Sequence, residues 1–224
     1  MTFSILGHCP QTGMFGLAIS SSSPAVAARC AFARAGVGVV ATQNITDPRL
    51  GPHALDIMAS GATASETLAI LERVGSHMEF RQLLALGASG ESAIYSGTKV
   101  LGCWSEAQCE DAAAAGDLLA DVNVPETMIL QFRNASGHIG DRLVRALRAG
   151  LDAGGEKDPL HSAGLLIVDK QSWPLVDLRI DWTKHCPIAA LEEAWDIYKP
   201  QIEDYVTRAL APGMAPSCEV AEEM

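Results

Sequence analysis

The sequence predicts an α+β protein arranged as a four-layer αββα sandwich, in which two antiparallel or mixed sheets lie between outer layers of helices. Two observations indicate this fold class. Segments with the alternating or continuous apolar pattern of strands occur in pairs joined by short turns, and pairs of helical segments separate these hairpins. Strands and helices do not alternate one by one, as a doubly wound parallel sheet requires. We therefore expect a single domain over residues 1–211, followed by a flexible tail at 212–224.

The first half of the chain predicts two hairpins with helices between them. The turn formers Pro10 and Gly13 separate the first pair of strands. An Ala-rich segment at 25–35 predicts a helix, and the pattern Thr63-x-x-Glu66 is typical of a capping box. The predicted strands are residues 3–8, 14–20, 36–42, 82–86 and 92–95, and the other predicted helices are residues 52–60 and one that begins at Thr63.

The second half predicts a helix pair, a third hairpin and a last helix. One apolar helical face is formed by residues that recur every four positions, namely Ile139, Leu143, Leu147 and Leu151. A polar break at 154–159 precedes the third hairpin, and Pro200 is expected to bend the last helix. The predicted elements are a strand at 113–119, helices that resume near Pro125, strands at 163–168 and 176–180, and a last helix at 188–205.

The composition argues against several classes of partner. A formal net charge of -11 disfavours nucleic acid and anionic membrane surfaces, because both attract clustered Lys and Arg. No leader peptide is visible and no apolar run approaches the roughly 20 residues that span a bilayer, so we expect a cytoplasmic protein. The six cysteines form no C-x-x-C pair, which predicts reduced, mostly buried thiols and no metal site. Gly36-x-Gly38-x-x-Ala41 matches a loose dinucleotide fingerprint but lies inside a predicted strand, so we expect no cofactor.

Thr2 is the sharpest candidate for catalysis. The initiator methionine is normally removed when a small residue follows it, and its removal would leave Thr2 at the start of the chain. A terminal threonine carries both a hydroxyl nucleophile and an α-amine, whose pKa of about 7.7–8.0 suits a general base. Threonine is common at position 2, but here a predicted strand starts immediately after it, inside a sheet-rich pattern.

Several segments of the chain resemble the DUF1028 family. The resemblance spans roughly residues 2–195 and implies the fold of the N-terminal-nucleophile (Ntn) hydrolases, with a substrate that is not established. The segments are Thr2-Phe3-Ser4-Ile5, the strand at 36–43, the turn Thr46-x-Pro48-x-x-Gly51 with Ala54-Leu55-Asp56, Gly116-Asp117-Leu118-Leu119-Ala120, Ala153-Gly154-Gly155 leading to Ser162-Ala163, and Asp177-Leu178-Arg179-Ile180-Asp181.

By analogy with the Ntn-hydrolase fold, the ends of the second and third strands flank the nucleophile. The hydroxyls of Ser20 and Ser21 would then orient the Thr2 amine or contact the substrate, although a serine run before a proline is equally typical of a plain turn. Arg34 is the candidate cation that lowers the pKa of the nucleophile, with Arg29 as the alternative. A solvated surface charge is the competing interpretation for both arginines.

The polar turn after the third predicted strand supplies further candidates. Backbone N–H groups at 42–44 and the Asn44 amide could form an oxyanion hole, but the turn also suits a plain helix start. For His161, an ordinary loop position is the interpretation that competes with a role in binding. The candidate substrate-binding residues at this turn and at strand ends are Ser21, Gln43, Asp47, Asp117, His161 and Ser162.

These features favour hydrolysis of an amide or related acyl bond in a small molecule or a peptide. Thr2 Oγ would attack the carbonyl carbon, and the Thr2 amine would shuttle the proton. The alternative is a catalytically silent binding protein that retains the sandwich, with Thr2 blocked by Met1. In either case we expect a homodimer or a higher homo-oligomer.

Overall fold

In the computed structural model, which describes residues 2–216, the chain forms ten β-strands, seven α-helices and three short 3₁₀ turns. The strands are β1 (Thr2–Cys9), β2 (Met14–Ser21), β3 (Ala31–Arg34), β4 (Gly38–Asn44), β5 (Arg81–Gly87), β6 (Ser92–Ser96), β7 (Ser105–Cys109), β8 (Ala112–Asp117), β9 (Ser162–Val168) and β10 (Val176–Ile180). The helices are α1 (Val26–Cys30), α2 (Leu50–Ala59), α3 (Ala64–Val74), α4 (Val124–Asn134), α5 (Ile139–Asp152), α6 (Pro187–Tyr198) and α7 (Ile202–Leu210).

The strands form two antiparallel sheets. A six-stranded sheet has the order β10-β9-β2-β1-β8-β7, and a four-stranded sheet has the order β3-β4-β5-β6. The helices α4, α5 and α6 pack on the outer face of the larger sheet, and α2 and α3 pack on the smaller one. The remaining faces of the two sheets pack against each other. The predicted four-layer αββα sandwich is therefore confirmed.

Local sequence signals account for most of the element boundaries. The three predicted hairpins are present, and Pro10 to Gly13 form the turn between β1 and β2. Thr63 caps α3 in a complete capping box with Glu66. The four-residue apolar spacing lies on α5, where Ile139, Leu143 and Leu147 are buried.

The predicted helix at 25–35 is wrong over its second half. Only Val26–Cys30 is helical, and Ala31–Arg34 is the edge strand β3, which pairs with Gly38 to Ala41 of β4. Alanine-rich sequence favours a helix locally, but the unpaired edge of β4 offers these four residues backbone hydrogen bonds. Tertiary pairing overrides the local preference here.

Two further boundaries differ from the prediction. The strand β7 (Ser105–Cys109) was not predicted, because its residues alternate only weakly in polarity and lie at the edge of the larger sheet. The predicted last helix is split by the 3₁₀ turn Lys199–Gln201, so Pro200 interrupts it rather than only bending it. Of the predicted tail, residues 212–216 include an exposed 3₁₀ turn, and residues 217–224 lie outside the described part.

The cysteines differ in part from the expectation. The five thiols within residues 2–216 are free, as expected. Cys30 is buried, whereas Cys103 and Cys186 are exposed and Cys9 and Cys109 are half-buried, so the prediction of mostly buried thiols is wrong. Cys218 lies outside the described residues. Between residues 2 and 216, no helix is long and apolar enough to cross a membrane.

The space between the two sheets changes in polarity along its length. At one end the alternate residues that face this space are apolar, as Leu17, Val39 and Leu84 are. At the other end the same alternation places polar residues between the sheets. We call this group the polar layer; its members are Thr2, Ser4, Ser21, Gln43, Gln82, Ser96, Glu106 and Asp117. Because polar groups are costly to bury, the polar layer marks the end of the sandwich to search for a site.

Candidate functional site

Thr2 is the first residue of the central strand β1, within the polar layer. Phe3 and Ile5 point from β1 toward the helices, so Thr2 and Ser4 point between the sheets. The Thr2 hydroxyl donates a hydrogen bond to the Ser21 hydroxyl at 3.4 Å. Thr2 is 4% exposed, so its side chain is buried in this structure.

Asp117 is the cross-strand partner of Thr2 and is fully buried. Burial raises the pKa of its carboxyl to about 6, against hydrogen bonds that lower it, including those from the backbone N–H groups of Thr2 and Asn44. The carboxylate therefore lies against the Thr2 nitrogen, on one side of the candidate nucleophile. Asp117 ends β8, and Leu118 after it has a left-handed φ of 50°.

A second buried carboxyl lies near the first. Glu156 is 6% exposed, and it accepts hydrogen bonds from the backbone N–H of Ser22 at 3.0 Å and from the Ser22 hydroxyl at 2.5 Å. Burial raises the pKa of Glu156, and the neighbouring Asp117 charge acts in the same direction, whereas the Ser22 bonds lower it. Ser22 directly follows Ser21, so Glu156 fixes the end of β2 beside Thr2.

The rest of the polar layer is a chain of hydrogen bonds that crosses between the sheets. The Ser4 hydroxyl donates to Gln43 Oε1 at 2.7 Å, and Gln43 Nε2 donates to Gln82 Oε1 at 2.7 Å. Gln82 Nε2 then donates to the Ser96 hydroxyl at 2.9 Å, which donates to Glu106 Oε2 at 2.8 Å. This chain links β1 through β4, β5 and β6 to β7, and its inner members Ser4, Gln43 and Gln82 are fully buried.

Asn44 is the last residue of β4, and its backbone N–H contacts the Asp117 carboxyl. Its backbone is left-handed, with φ of 68°. Its Nδ2 donates to the Phe80 carbonyl at 2.5 Å, and its Oδ1 accepts from the Leu101 backbone N–H at 3.3 Å. Leu101 in turn accepts from the Leu118 N–H at 3.1 Å. The Asn44 side chain thus links the 3₁₀ turn that ends at Phe80 to the loop at Leu101, which is bonded to the residue after Asp117.

Comparison with known proteins places the chain in a family. A family model described as a family of unknown function, DUF1028, matches residues 2–191. The chain belongs to the DUF1028 family. It is similar to protein SPO2555 from Silicibacter pomeroyi, a DUF1028 protein of known crystal structure, with 28% identity, a TM-score of 0.82, and 88% of this chain and 89% of that chain covered.

A more distant likeness and one negative result complete the comparison. Anbu (ancestral beta-subunit) from Yersinia bercovieri matches over 98% of this DUF1028 chain and 100% of its own, but at 11% identity and a TM-score of 0.43. A likeness this weak shows neither the fold nor the function of this chain. No curated protein sequence matches it.

Of the serines predicted for the site, Ser21 and Ser162 face the space between the sheets as a cross-strand pair. Ser162 Oγ donates to the Ser23 carbonyl at 2.6 Å and so holds the turn after β2. Ser20 does not lie beside the Thr2 hydroxyl: it points to the helix-covered face of the sheet and donates to the Ser162 carbonyl at 2.9 Å. Adjacent residues of a strand face opposite ways, which separates Ser20 from Ser21.

The structure does not bring Arg34 to Thr2. Arg34 is exposed on β3, pairs in register with Gly38, and its guanidinium forms an ion pair with Asp56 at 2.8 Å. Asn44, at the end of β4 where the polar layer lies, is six residues beyond Gly38, about 20 Å along the strand. The prediction that Arg34 activates Thr2 is therefore corrected: the interpretation as a solvated surface charge fits. The alternative, Arg29, donates to the Pro24 carbonyl at 2.9 Å.

Three predicted substrate-binding residues have structural partners. Gln43 lies inside the hydrogen-bond chain, with both amide atoms bonded. The Asp47 carboxylate accepts from the Arg49 side chain at 2.7 and 2.9 Å, which lowers its pKa to about 2, and from the Arg49 backbone N–H as α2 begins. His161 is half-buried, stacks on Trp182 with ring centroids 4.3 Å apart, and its Nδ1 is 2.8 Å from the Thr183 carbonyl. Their substrate contacts stay predictions.

The sequence reasoning missed Glu156 and Ser4. Ser4 lies two residues after Thr2 on the same strand, so strand alternation alone could have placed it on the same face. Glu156 follows the glycine pair Gly154-Gly155, within a segment that resembles the family, and an acidic residue after so tight a turn was a usable signal. Within residues 2–216, no group of three or more His, Cys, Asp or Glu side chains is arranged to hold a metal ion.

Proposed function

We propose that this protein, once Met1 has been removed, is an N-terminal-nucleophile hydrolase that cleaves an amide or related acyl bond of a small molecule or peptide. One observation carries the proposal: Thr2 begins the central strand with its hydroxyl on Ser21 and its backbone nitrogen against the Asp117 carboxyl. Both groups that the chemistry requires are thus positioned by buried partners. The resemblance to the DUF1028 family implies the Ntn-hydrolase fold and supports the same proposal.

The proposed reaction begins with proton transfer from Thr2 Oγ to the Thr2 α-amine. The oxygen attacks the substrate carbonyl carbon, and the amine returns the proton to the leaving nitrogen as the carbon–nitrogen bond breaks. Water then hydrolyses the resulting ester and regenerates the hydroxyl. An amide NH₂ has two donors, and because the Phe80 carbonyl takes one from Asn44, we assign the second to the developing oxyanion.

The environment of the amine has two opposing effects on its pKa. Burial disfavours the ammonium form, whereas the adjacent Asp117 carboxylate favours it. These opposing effects are expected to leave the amine able to accept a proton near neutral pH, as a general base must. Thr2 is 4% exposed in the chain that includes Met1, so loss of Met1 is proposed to create the amine and to admit the substrate.

The test uses a chain that begins at Thr2, released from a cleavable leader and verified by intact mass. A β-lactone is the probe, because its strained ester acylates a nucleophilic hydroxyl and adds its mass to the protein. We expect the label on Thr2. Thr2→Ala should lower the labelling rate at least about a thousandfold, while Thr2→Ser should retain it. Thr12→Ala, an exposed threonine in the first turn, is the control. Unchanged labelling in Thr2→Ala would overturn the proposal.

A second candidate function follows from the burial of the Thr2 side chain. A nucleophile that is 4% exposed suits a protein in which Met1 is retained and the sandwich binds a partner without catalysis. In that case native protein should have the intact mass of the chain with Met1, and light scattering should show a homodimer or larger. Complete removal of Met1 in native protein would contradict this candidate.

A further inference from the structure

Glu156 lies in a segment that is hydrogen-bonded through its backbone to the residues after β8. It follows Gly154 and Gly155, whose φ values of 122° and 59° reverse the chain directly after α5. Its backbone pairs with Leu119 in an isolated antiparallel bridge, two residues beyond Asp117. A short path through the backbone therefore connects the positions of the two buried carboxyls.

The Glu156 side chain reaches the end of β2. Both of its oxygens accept hydrogen bonds from Ser22, one from the N–H and one from the hydroxyl. Ser21, the preceding residue, accepts the Thr2 hydroxyl through its own hydroxyl, which also accepts the Ser23 N–H at 3.0 Å. Glu156 thus holds in place the turn that carries the hydroxyl partner of the nucleophile.

Two buried carboxyls lie close to Thr2. Asp117 on β8 and Glu156 are both buried, and the Asp117 charge adds to the burial that raises the pKa of Glu156. The Cys30 thiol at the end of α1 also faces Asp117, and burial raises the pKa of that thiol. The hydroxyls of Ser21 and Ser22 on the β2 side are neutral. A cation stabilises the ionised form of a buried carboxyl, and in the chain that begins at Thr2 the ammonium group would supply one beside Asp117.

We propose that Glu156 is a positioning residue for Thr2, which fixes the Ser21 hydroxyl against the nucleophile through Ser22 and, together with Asp117, holds the α-ammonium group created by removal of Met1. The inference rests on the proposed function and deepens it. Glu156 touches neither the hydroxyl nor the substrate carbonyl in this assignment. It acts on the geometry and the charge state of the N-terminal residue.

The test measures the Thr2 amine directly, in the full chain that begins at Thr2. The rate at which acetic anhydride acetylates this amine is followed as a function of pH by peptide mass spectrometry. In Glu156→Gln we expect the midpoint to fall by about 0.5–1 pH unit, because a nearby carboxylate stabilises the ammonium form. Glu156→Asp should keep most of the wild-type midpoint. Glu193→Gln, an exposed glutamate on α6, should not change it.

The outcomes separate this inference from the proposed function. β-Lactone labelling of Thr2 in the wild type combined with an unchanged amine midpoint in folded Glu156→Gln would overturn the role of Glu156 alone. A shifted midpoint without any labelling would support the positioning role and overturn the hydrolase. If Glu156→Gln does not fold, Ser22→Ala replaces it: loss of the hydroxyl donor should lower the labelling rate about tenfold, and an unchanged rate would count against the inference.

Discussion

At the scale of single residues, the candidate site depends on how burial acts on a few polar groups. Thr2, Ser21 and Asp117 are buried at adjacent strand ends, and each has a polar neighbour there. The carboxyl of Asp117 is the most strongly affected, because burial raises its pKa to about 6 against the hydrogen bonds that lower it. Its titration is therefore a direct probe of the site.

The pH dependence of stability should show the buried Asp117. Its pKa is about 6 in the folded chain, against an ordinary value of 3.8, so the folded state binds more protons between those pH values and stability falls as pH rises through them. With Met1 retained, Asp117→Asn should gain about 2–3 kcal/mol relative to wild type between pH 4 and pH 7.5. Urea denaturation at both pH values measures this, with the exposed Asp196→Asn as control. Equal differences at both pH values would contradict the assignment.

At the scale of elements, the polar layer determines how the two sheets meet. Ser4, Gln43 and Gln82 join β1, β4 and β5 through donors and acceptors that match in number and position. Such a buried network is favourable only if every member is satisfied. It fixes the alignment of one sheet on the other at the end where Thr2 lies.

Breaking this network should be costly. Gln43→Leu removes the acceptor of the Ser4 hydroxyl and the donor to Gln82, which leaves two buried polar groups unpaired. Since each such group costs about 1–3 kcal/mol, we expect a loss of about 2–4 kcal/mol in the free energy of unfolding. Urea denaturation is the measurement, and Gln11→Leu in the exposed first turn is the control. A loss below about 0.5 kcal/mol would show that the chain of bonds is not important for stability.

The short helix α1 depends on a close approach to β9. A Cβ atom at Gly164 would lie 2.4 Å from Ala27 Cβ, so only glycine lets the helix pack at this distance. Gly164→Ala should displace α1 and lower the free energy of unfolding by about 1–3 kcal/mol. Gly87→Ala in β5 is the matched control, because its new Cβ would meet nothing nearer than 3.7 Å. Comparable melting temperatures for the two variants would refute this explanation.

At the scale of the whole molecule, the sandwich has two unlike ends, one closed by apolar residues and one built from the polar layer. Helices cover the outer faces of both sheets. The polar end is formed by the ends of strands from both sheets. Residues 212–216 take no part in this arrangement, since the backbone bonds of Met214 and Ala215 run only to Ala211 and Pro212.

Removal of residues 212–216 should therefore have little effect on stability. A chain that ends at Ala211 is expected to melt within about 2 °C of a chain that ends at Pro216, because the exposed turn at Pro212–Met214 buries no core residue. Differential scanning calorimetry of both chains measures this. A drop of more than about 5 °C would assign a structural role to residues 212–216.

The sequence by itself determined the fold class, most of the hairpins and helices, and Thr2 as the residue to examine. Those features depend on local signals: strand alternation, the capping box at Thr63, and the four-residue spacing on α5. It also predicted Asp117 and Ser21, because strand ends are identifiable from turn residues. The sequence could not exclude Arg34 as the cation that activates Thr2. The distance between Arg34 and Thr2 depends on which end of β4 pairs with β3.

Only the tertiary structure decided which polar residues meet. Glu156 is separated from Ser22 by 134 positions, and Ser4 from Gln43 by 39, so no local pattern connects them. The tertiary structure also decided that Ala31–Arg34 is a strand, because these residues form backbone hydrogen bonds with the edge of β4. Local propensities act over a few residues, whereas the burial that raises the pKa of Asp117 arises where β1, β4 and β8 meet at one end of the sandwich. Thr2 is therefore identifiable from the sequence, and the surroundings that would make it reactive are a property of the fold.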